Sequence, residues 1–392
     1  MKKIKVVCAM SGGVDSSVSA ALLKKGLFLS AGRQVDVIGI FIKFWSDTDA
    51  PASASCPPVG GACPPVGGSN KNRCCSTESE NRARRVASLL GIPFYVFNFE
   101  KEFKAKIVDK FLEDNKRGIT PNPCVVCNKE IKFGLLLEKA MALGADFVAT
   151  GHYAVKQEGD PGRGGYKLSR PKDQLKDQTY FLWKLSQEQL KHIIFPVGEY
   201  IKPQVRALAK KFDLPVFETP ESQEICFIPG QTGDFLKKYL HERPGKMIDR
   251  EGNVLGEHKG LWFYTLGQRK GMGLPGGPYY VLKKNMGNNE LIVTKDPADL
   301  DQKEVLFRDA NWTSGSEPRL PARTAAKIRY RHPSALATIS KAGGKGLWKA
   351  VFDEPQRSVT PGQSIVFYDP PVLAPKNVQD QHLLGGGIIV DE

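Results

Sequence analysis

The sequence predicts an α/β protein in three parts: a parallel-sheet domain, a small α+β domain and a C-terminal antiparallel β-barrel. Three observations carry this expectation. Strand-like and helix-like segments alternate through the first half of the 392-residue chain, the pattern of a parallel sheet with helices on both faces. A glycine-rich turn, SGGVDSS at 11–17, separates the first strand from the first helix. Beyond residue 217 glycine and proline become frequent and the strand-like runs short, as in antiparallel barrels. The expected domains are 1–217, 218–300 and 301–392.

Each element follows from its local pattern. KIKVVCAM is a short apolar strand, and SSVSAALLKKG places Val18, Ala21 and Leu22 at helical spacing before Gly26 stops it. VDVIGIFI (35–42) reads as a strand, ENRARRVASLLG (80–91) as a helix and FYVF (94–97) as a strand. In IKFGLLLEKAMALG, the side chains Phe133, Leu136, Leu137, Ala140 and Met141 mark one helix face, ended by Gly144. DFVAT (146–150) is the next strand. GQTGDFLKKYL is an amphipathic helix, followed by NELIVT, TAAKIRYRH, KAVFDE, QSIVFYD and GGGIIVDE as short strands. Between the second strand and its helix lies CPPVGGACPPVGGSN, a repeated seven-residue unit whose prolines and glycines exclude helix and central strand.

Composition narrows the function. Hydrophobic residues make up 41% and charged residues 25%, ordinary for a globular protein. No apolar run approaches the ~18 residues that span a bilayer, and Lys5 with Ser11-Gly12-Gly13 interrupts any signal-peptide core, so a cytoplasmic chain without a membrane partner is expected. The net charge of +14 includes clusters at Arg82, Arg84 and Arg85, at Lys237 and Lys238, at Arg269 and Lys270, and at Arg323, Lys327, Arg329 and Arg331. Singly these are solvated surface; together they favour a polyanion, with nucleic acid ahead of membrane. Eight cysteines in a reducing compartment do not form a disulfide framework. Cys8 reads as a small buried hydrophobe; Cys56, Cys63, Cys74, Cys75, Cys124, Cys127 and Cys226 fall in loops or at element ends.

The SGGVDSS turn lets backbone N–H groups of Gly12 and Gly13 approach a phosphate chain at a helix N-terminus, with Ser11, Ser16 and Ser17 as further donors. Asp15 is a candidate to hold Mg2+ bridging phosphates. The Walker pattern and its lysine are absent. PNPCVVCN (121–128) holds a C-x-x-C that reads as a redox pair, half a zinc site, or a nucleophile with a neighbour. Placing a helix start at Asn128 puts Cys127 beside the helix dipole, Lys129 and Lys132, a setting that favours thiolate. Cys226, in SQEICFIPG, has apolar neighbours and nearby Glu221 and Glu224, which disfavour it. Two thiols so set suit an exchange in which one attacks and the other carries, although Cys226 taken alone reads more readily as a buried structural residue.

SGGVDSS resembles the PP-loop of the ATP pyrophosphatases, whose fold is adenine nucleotide hydrolase-like and which expel pyrophosphate while adenylating an oxygen. A longer series settles the resemblance: MSGGVDSS, TPNPCVVCNKEIKF, ATGHY, KDQTYFLW, FPVGEYIKPQVR, ICFI, GEHKGLWFYTLGQRKG, KIRYRH, VTPGQS and LGGGII occur in that order between residues 10 and 389. The chain is thereby similar to the bacterial tRNA-specific 2-thiouridylases over nearly its whole length, the Pro-Gly repeat excepted. The resemblance implies that Ala9, Met10, Ser11, Gly12, Gly13, Val14, Asp15 and Ser16 line the ATP site together with Ile42 and Gly151. It implies that Cys127 is the nucleophile, that Cys226 receives sulfur as a persulfide, and that the two end as a disulfide. Asn122, Pro123 and Cys124 would lie against a flipped target base; His152, Lys176, Asp177, Gln178, Arg329, Tyr330 and Gln363 would touch tRNA. Implied partners are tRNAs for Lys, Glu and Gln and a sulfur donor such as a cysteine desulfurase or sulfur-carrier protein.

One position departs from the family pattern: Cys124 stands where better-known members have aspartate. It opens a second reading, an iron–sulfur cluster held by Cys124, Cys127 and Cys226. Two rival functions remain from the residues alone. A PP-loop synthetase for a small molecule leaves the basic barrel and both thiols unused. A non-catalytic RNA-binding protein with zinc on the C-x-x-C leaves SGGVDSS unused.

Overall fold

The computed structural model describes residues 3–28, 34–45, 76–159, 165–220, 225–228, 230–370 and 381–391. The CPPVGG repeat, Cys56, Cys63, Cys74 and Cys75, and the acidic Glu221 and Glu224 lie outside the described residues.

The first sheet is parallel throughout. Strands β1 (Ile4–Ala9), β2 (Val35–Lys43), β3 (Phe94–Asn98), β4 (Phe147–Ala149) and β7 (Ile193–Ile194) lie in the order β3-β2-β1-β4-β7. The chain steps outward from β1 to β3 and then resumes on the other side of β1. The crevice between the carboxyl ends of β1 and β4 is therefore the topological switch point, where open α/β sheets bind ligands.

Alternation along the strands divides the core into two layers. Val6, Cys8, Val37 and Phe41 face helices α1 (Val14–Lys24) and α2 (Thr77–Leu89). Val7, Ile40, Ile42 and Val148 face the opposite layer, built by helical runs α3 (100–116) and α4 (123–142). Helix α1 buries Val14 and every residue from Ser16 to Leu23, so its small serines and alanines let neighbouring elements approach closely on several sides. Helix α5 (Lys202–Lys211) packs in the first layer through Val205 and Ala209.

The expected strands and helices of this half appear within a few residues of their predicted bounds, with one correction. Helix α4 begins at Pro123, not at Asn128: Asn122 is the N-cap, Pro123 takes the first turn, and the run continues through a π-helical stretch at Asn128–Leu135. Proline has no N–H to lose in a first turn and its φ suits a helix, a start signal that outweighs an Asn at 128. Cys124 thus occupies the helix start, and Cys127 lies one turn inside.

The barrel holds β12 (Asp301–Trp312), β13 (Ala322–Lys327), β14 (Ala335–Lys341), β15 (Trp348–Arg357), β16 (Ser364–Tyr368) and β17 (His382–Ile389). Antiparallel pairing in the order β12-β15-β14-β13-β16-β17 is closed by β17 returning to β12. Closure leaves no unpaired edge within the ring, and Phe307, Trp348, Phe352 and Phe367 fill it. A hairpin absent from the sequence reading, β5 (Val155–Glu158) with β6 (Tyr166–Ser169), pairs through β6 with β17. Backbone hydrogen bonds therefore tie the first domain to the barrel. Between them, β8 (Gly245–Ile248), β9 (Val254–His258), β10 (Tyr280–Asn285) and β11 (Glu290–Thr294) form a four-stranded sheet. The amphipathic helix α6 (Thr232–Tyr239) drives Phe235 and Leu236 into the second layer of the first domain.

Candidate active site

The glycine-rich turn sits at the switch point. Gly13 is the N-cap of α1 with extended backbone and no side-chain cap, so the first N–H groups of an eleven-residue helix stay open to an anion. Gly12 has φ +74°, and a Cβ there would meet the Ser79 carbonyl oxygen at 2.2 Å; only glycine lets the turn pass under α2. Gly151 follows β4 across the crevice, where a Cβ would meet the Ser16 nitrogen at 2.6 Å. The Ser16 hydroxyl receives the Ser11 N–H and donates to Gly13 C=O, both at 3.2 Å. Ala9 ends β1, Met10 is buried beneath the turn, and Ile42 is buried near the end of β2. The resemblance-derived ATP residues thus converge on one edge, with a geometry that fits a phosphate chain.

Asp15 does not fit the magnesium role expected of it. Its Oδ1 and Oδ2 accept from Lys202 Nζ at 2.7 and 2.8 Å, and Oδ1 also accepts from the Tyr153 hydroxyl at 2.8 Å. Lys202 is 7% exposed, and a buried ammonium needs its carboxylate. Lys202 comes from the start of α5, in the KPQVR stretch. Arg82 approaches from α2, where Nε donates to Gly12 C=O at 3.1 Å. Sequence reasoning missed both contacts: KPQVR signalled a position without a partner, and Arg82 was one member of a basic cluster.

The two thiols given chemical roles belong to one apolar layer. Cys127 is buried in the second layer with Ile42, Phe103 and Phe227, and Cys226 packs against the same group. Phe227 anchors the Cys226 segment by edge-on contacts to Phe103, Phe111 and Phe235 at centroid separations of 5.7, 5.5 and 5.7 Å. Cys124 is partly exposed and stands outside that cluster. Among the described residues no group of three His, Cys, Asp or Glu side chains is placed to hold a metal ion. The arrangement does not fit a cluster shared by Cys124, Cys127 and Cys226.

Cys124 belongs to a second meeting point, the junction with the barrel. Tyr330 rests on Phe181 at 4.5 Å between centroids. Burial first, then the charges of Asp177, Cys124 and Asp173, raise the Tyr330 phenol pKa. Asn122 hydrogen-bonds the Tyr180 phenol, whose oxygen donates to Ser364 C=O at 2.9 Å. Gln363 Nε2 donates to Thr120 and Pro121 carbonyls at 2.9 and 3.2 Å. Segments 120–124, 177–181, 329–330 and 360–364 therefore form one assembly.

Several residues expected to touch tRNA are tied to the protein there. Asp177 is buried and accepts from Arg170 Nε at 2.8 Å and Thr179 N at 3.0 Å. Arg329 donates to Ser358 C=O at 2.8 Å and Leu266 C=O at 3.3 Å, bracing the barrel against the middle domain. Burial, then Lys132, hold the His152 imidazole well below its ordinary pKa, and its Nδ1 pairs with Thr150 Oγ1 at 2.7 Å. Gln178 Oε1 accepts the Tyr153 N–H at 2.9 Å. Lys176 lies in the turn just before it, part-exposed.

Comparison with known proteins matches three consecutive family models: "tRNA methyl transferase HUP domain" at 4–230, "tRNA methyl transferase PRC-barrel domain" at 233–295 and "Aminomethyltransferase beta-barrel domain" at 302–389. The tRNA-specific 2-thiouridylase MnmA of Clostridioides difficile is 43% identical over 389 residues, covering 98% of both chains. The protein of that name from Moorella thermoacetica is 43% identical, covering 97% of this chain and 98% of its own. A third, from Thermoanaerobacter, is 44% identical over 99% of this chain and 98% of its own. No described helix is long and apolar enough to cross a membrane. Matched by curated relatives over nearly its whole length, with the PP-loop at its switch point, the chain belongs to the tRNA-specific 2-thiouridylase family.

Proposed function

We propose that this enzyme converts the wobble uridine of tRNA to 2-thiouridine with ATP as activator. The observation that carries the reading is that Cys127 and Cys226, about a hundred residues apart in sequence, both belong to the apolar layer that also holds Ile42.

ATP binds at 9–16, Ile42 and Gly151, with its phosphates over Gly12 and Gly13 and the open end of α1. Uridine O2 attacks the α-phosphorus, N3 loses its proton and pyrophosphate leaves, so a poor leaving oxygen becomes part of AMP. The terminal sulfur of a Cys226 persulfide attacks C2. The Cys127 thiolate then attacks the Cys226 sulfur, the S–S bond to the substrate breaks, and a Cys127–Cys226 disulfide forms as AMP departs. An external thiol reductant restores both cysteines. Water exclusion by the phenylalanines around both thiols favours sulfur transfer over hydrolysis of the adenylate. The target base leaves its stack to lie at Asn122, Pro123 and Cys124, against Tyr330 and Phe181. Lys176, Gln178 and the basic surface hold the RNA backbone, a salt-sensitive grip; His152, Asp177, Arg329, Tyr330 and Gln363 shape the junction that receives it. The substrates in this reading are tRNAs for Lys, Glu and Gln, and the sulfur comes from a cysteine desulfurase or a carrier protein. Magnesium would enter with ATP, since Asp15 is engaged by Lys202.

Nucleoside mass spectrometry of tRNA incubated with ATP and a persulfide source tests this. It should show 2-thiouridine together with AMP and pyrophosphate. ATP turnover on a small molecule without RNA, and no thiolated nucleoside, would instead identify a synthetase.

A further inference from the structure

Asn128 is 2% exposed. Its Nδ2 donates to Phe181 C=O at 3.1 Å, while its Oδ1 is buried with no hydrogen-bond partner among the described residues. The Nδ2 contact fixes which way the amide points, because exchanging the two atoms would set two carbonyl oxygens against each other. A buried acceptor left unpaired costs roughly 1–3 kcal/mol, so such atoms in folded proteins call for a partner.

The position of Asn128 narrows what that partner is. Asn128 N–H donates to Cys124 C=O, one helical turn away, and residues four apart share a helix face. That face carries Cys124, whose charge acts on the Tyr330 phenol, and it meets Phe181, against which Tyr330 rests. Asn122, at the head of the same helix, reaches Tyr180 in the same segment. Asn128 therefore belongs to a helix face that adjoins the Phe181–Tyr330 surface proposed above for the target base.

We propose that Asn128 is a specificity-determining residue whose Oδ1 accepts the N3–H of the target uracil. This rests on the reading that Cys124 and its neighbours receive the base. Uracil offers a donor at N3; cytosine offers a lone pair there, which the amide oxygen repels. A site built to hydrogen-bond a group discriminates strongly against an analogue that lacks it.

The test is a binding measurement, because N3-methylation would also block the loss of the N3 proton during adenylation. Anticodon stem–loops carrying uridine or N3-methyluridine at the target position compete for the full-length enzyme. The wild type should favour uridine by about 10-fold, the worth of one buried hydrogen bond, and Asn128→Ala should bring the two within about 3-fold. Asn128→Ser gives a second variant should the alanine form fold poorly. Equal binding of both RNAs by the wild type overturns the proposal. So does a wild-type ratio retained in either folded variant, since a purely structural asparagine would lower stability and leave the ratio unchanged. Failure of the wild type to thiolate the uridine stem–loop would count against the function itself and not against Asn128.

Discussion

The nucleotide edge and the sulfur-and-base region of this enzyme are built by opposite strategies. The first is one continuous turn at 9–16 held between two glycines that admit no Cβ, Gly12 against Ser79 and Gly151 against Ser16. The second gathers Cys127, Cys226, the 120–124 segment and two barrel segments from across the chain. A continuous turn carries its geometry in its own sequence. A gathered site depends on packing between elements, so its function should fail through distant substitutions that leave the nucleotide edge intact.

Phe227→Ala tests this most severely. Emptying a site bounded by three phenylalanines should cost about 3–5 kcal/mol, measured by urea unfolding, and should free Cys226 from its cluster. Thiolation should fall at least tenfold further than pyrophosphate release. A parallel loss of both would show that the two regions are not separable.

Gly12→Ala is the reciprocal change. The clash with backbone at Ser79, added to a left-handed φ, should cost about 1–3 kcal/mol and remove ATP-dependent pyrophosphate release. Transfer of sulfur to Cys226, followed by intact-mass measurement, should persist.

Gln363→Ala removes two hydrogen bonds that join the barrel to the 120–124 segment. A loss of about 1–2 kcal/mol should accompany a higher KM for tRNA with kcat changed less. A lower kcat at unchanged KM would place Gln363 in the chemistry instead.

The smallest effect concerns Lys284, whose Nζ donates to Gly118 C=O at 3.1 Å just ahead of the junction. Burial lowers its pKa to about 8. Between pH 8 and the unfolded lysine value near 10.4 the unfolded chain binds more protons, so this group's penalty is present below pH 8 and fades as pH rises. Lys284→Met should therefore be more stable than the wild type at pH 7, by about 1 kcal/mol after allowing for its part exposure, and the advantage should shrink towards pH 10. A pH-independent difference in melting temperature would contradict the assignment.

How far the sequence could be read follows the same division. Strands β1 to β4, helices α1 and α2 and the body of α4 were legible because alternation and 3.6-residue spacing are local, whereas α3 (100–116) was not read. SGGVDSS was legible because strand, glycines and helix are contiguous. The start of α4 was misread: Asn128 looks like a cap, and only the proline at 123 signals that the helix has already begun. The Asp15–Lys202 pair was invisible because its members lie 187 residues apart and join through the packing of α5 on α1. The β5–β6 hairpin was missed because its pairing partner, β17, comes more than two hundred residues later. The orphaned Asn128 oxygen has no sequence signal at all.

The central claim is that Cys127 and Cys226 act as one sulfur-transfer pair. A single turnover settles it: enzyme carrying a Cys226 persulfide, ATP and tRNA are mixed without reductant, digested, and analysed for linked peptides. The account predicts a Cys127–Cys226 disulfide in amounts equal to the 2-thiouridine formed, none with Cys127→Ser, and pyrophosphate release with adenylated tRNA but no thiolation by Cys226→Ser. Thiouridine formed at the wild-type rate by either mutant, or with no such disulfide, would contradict it.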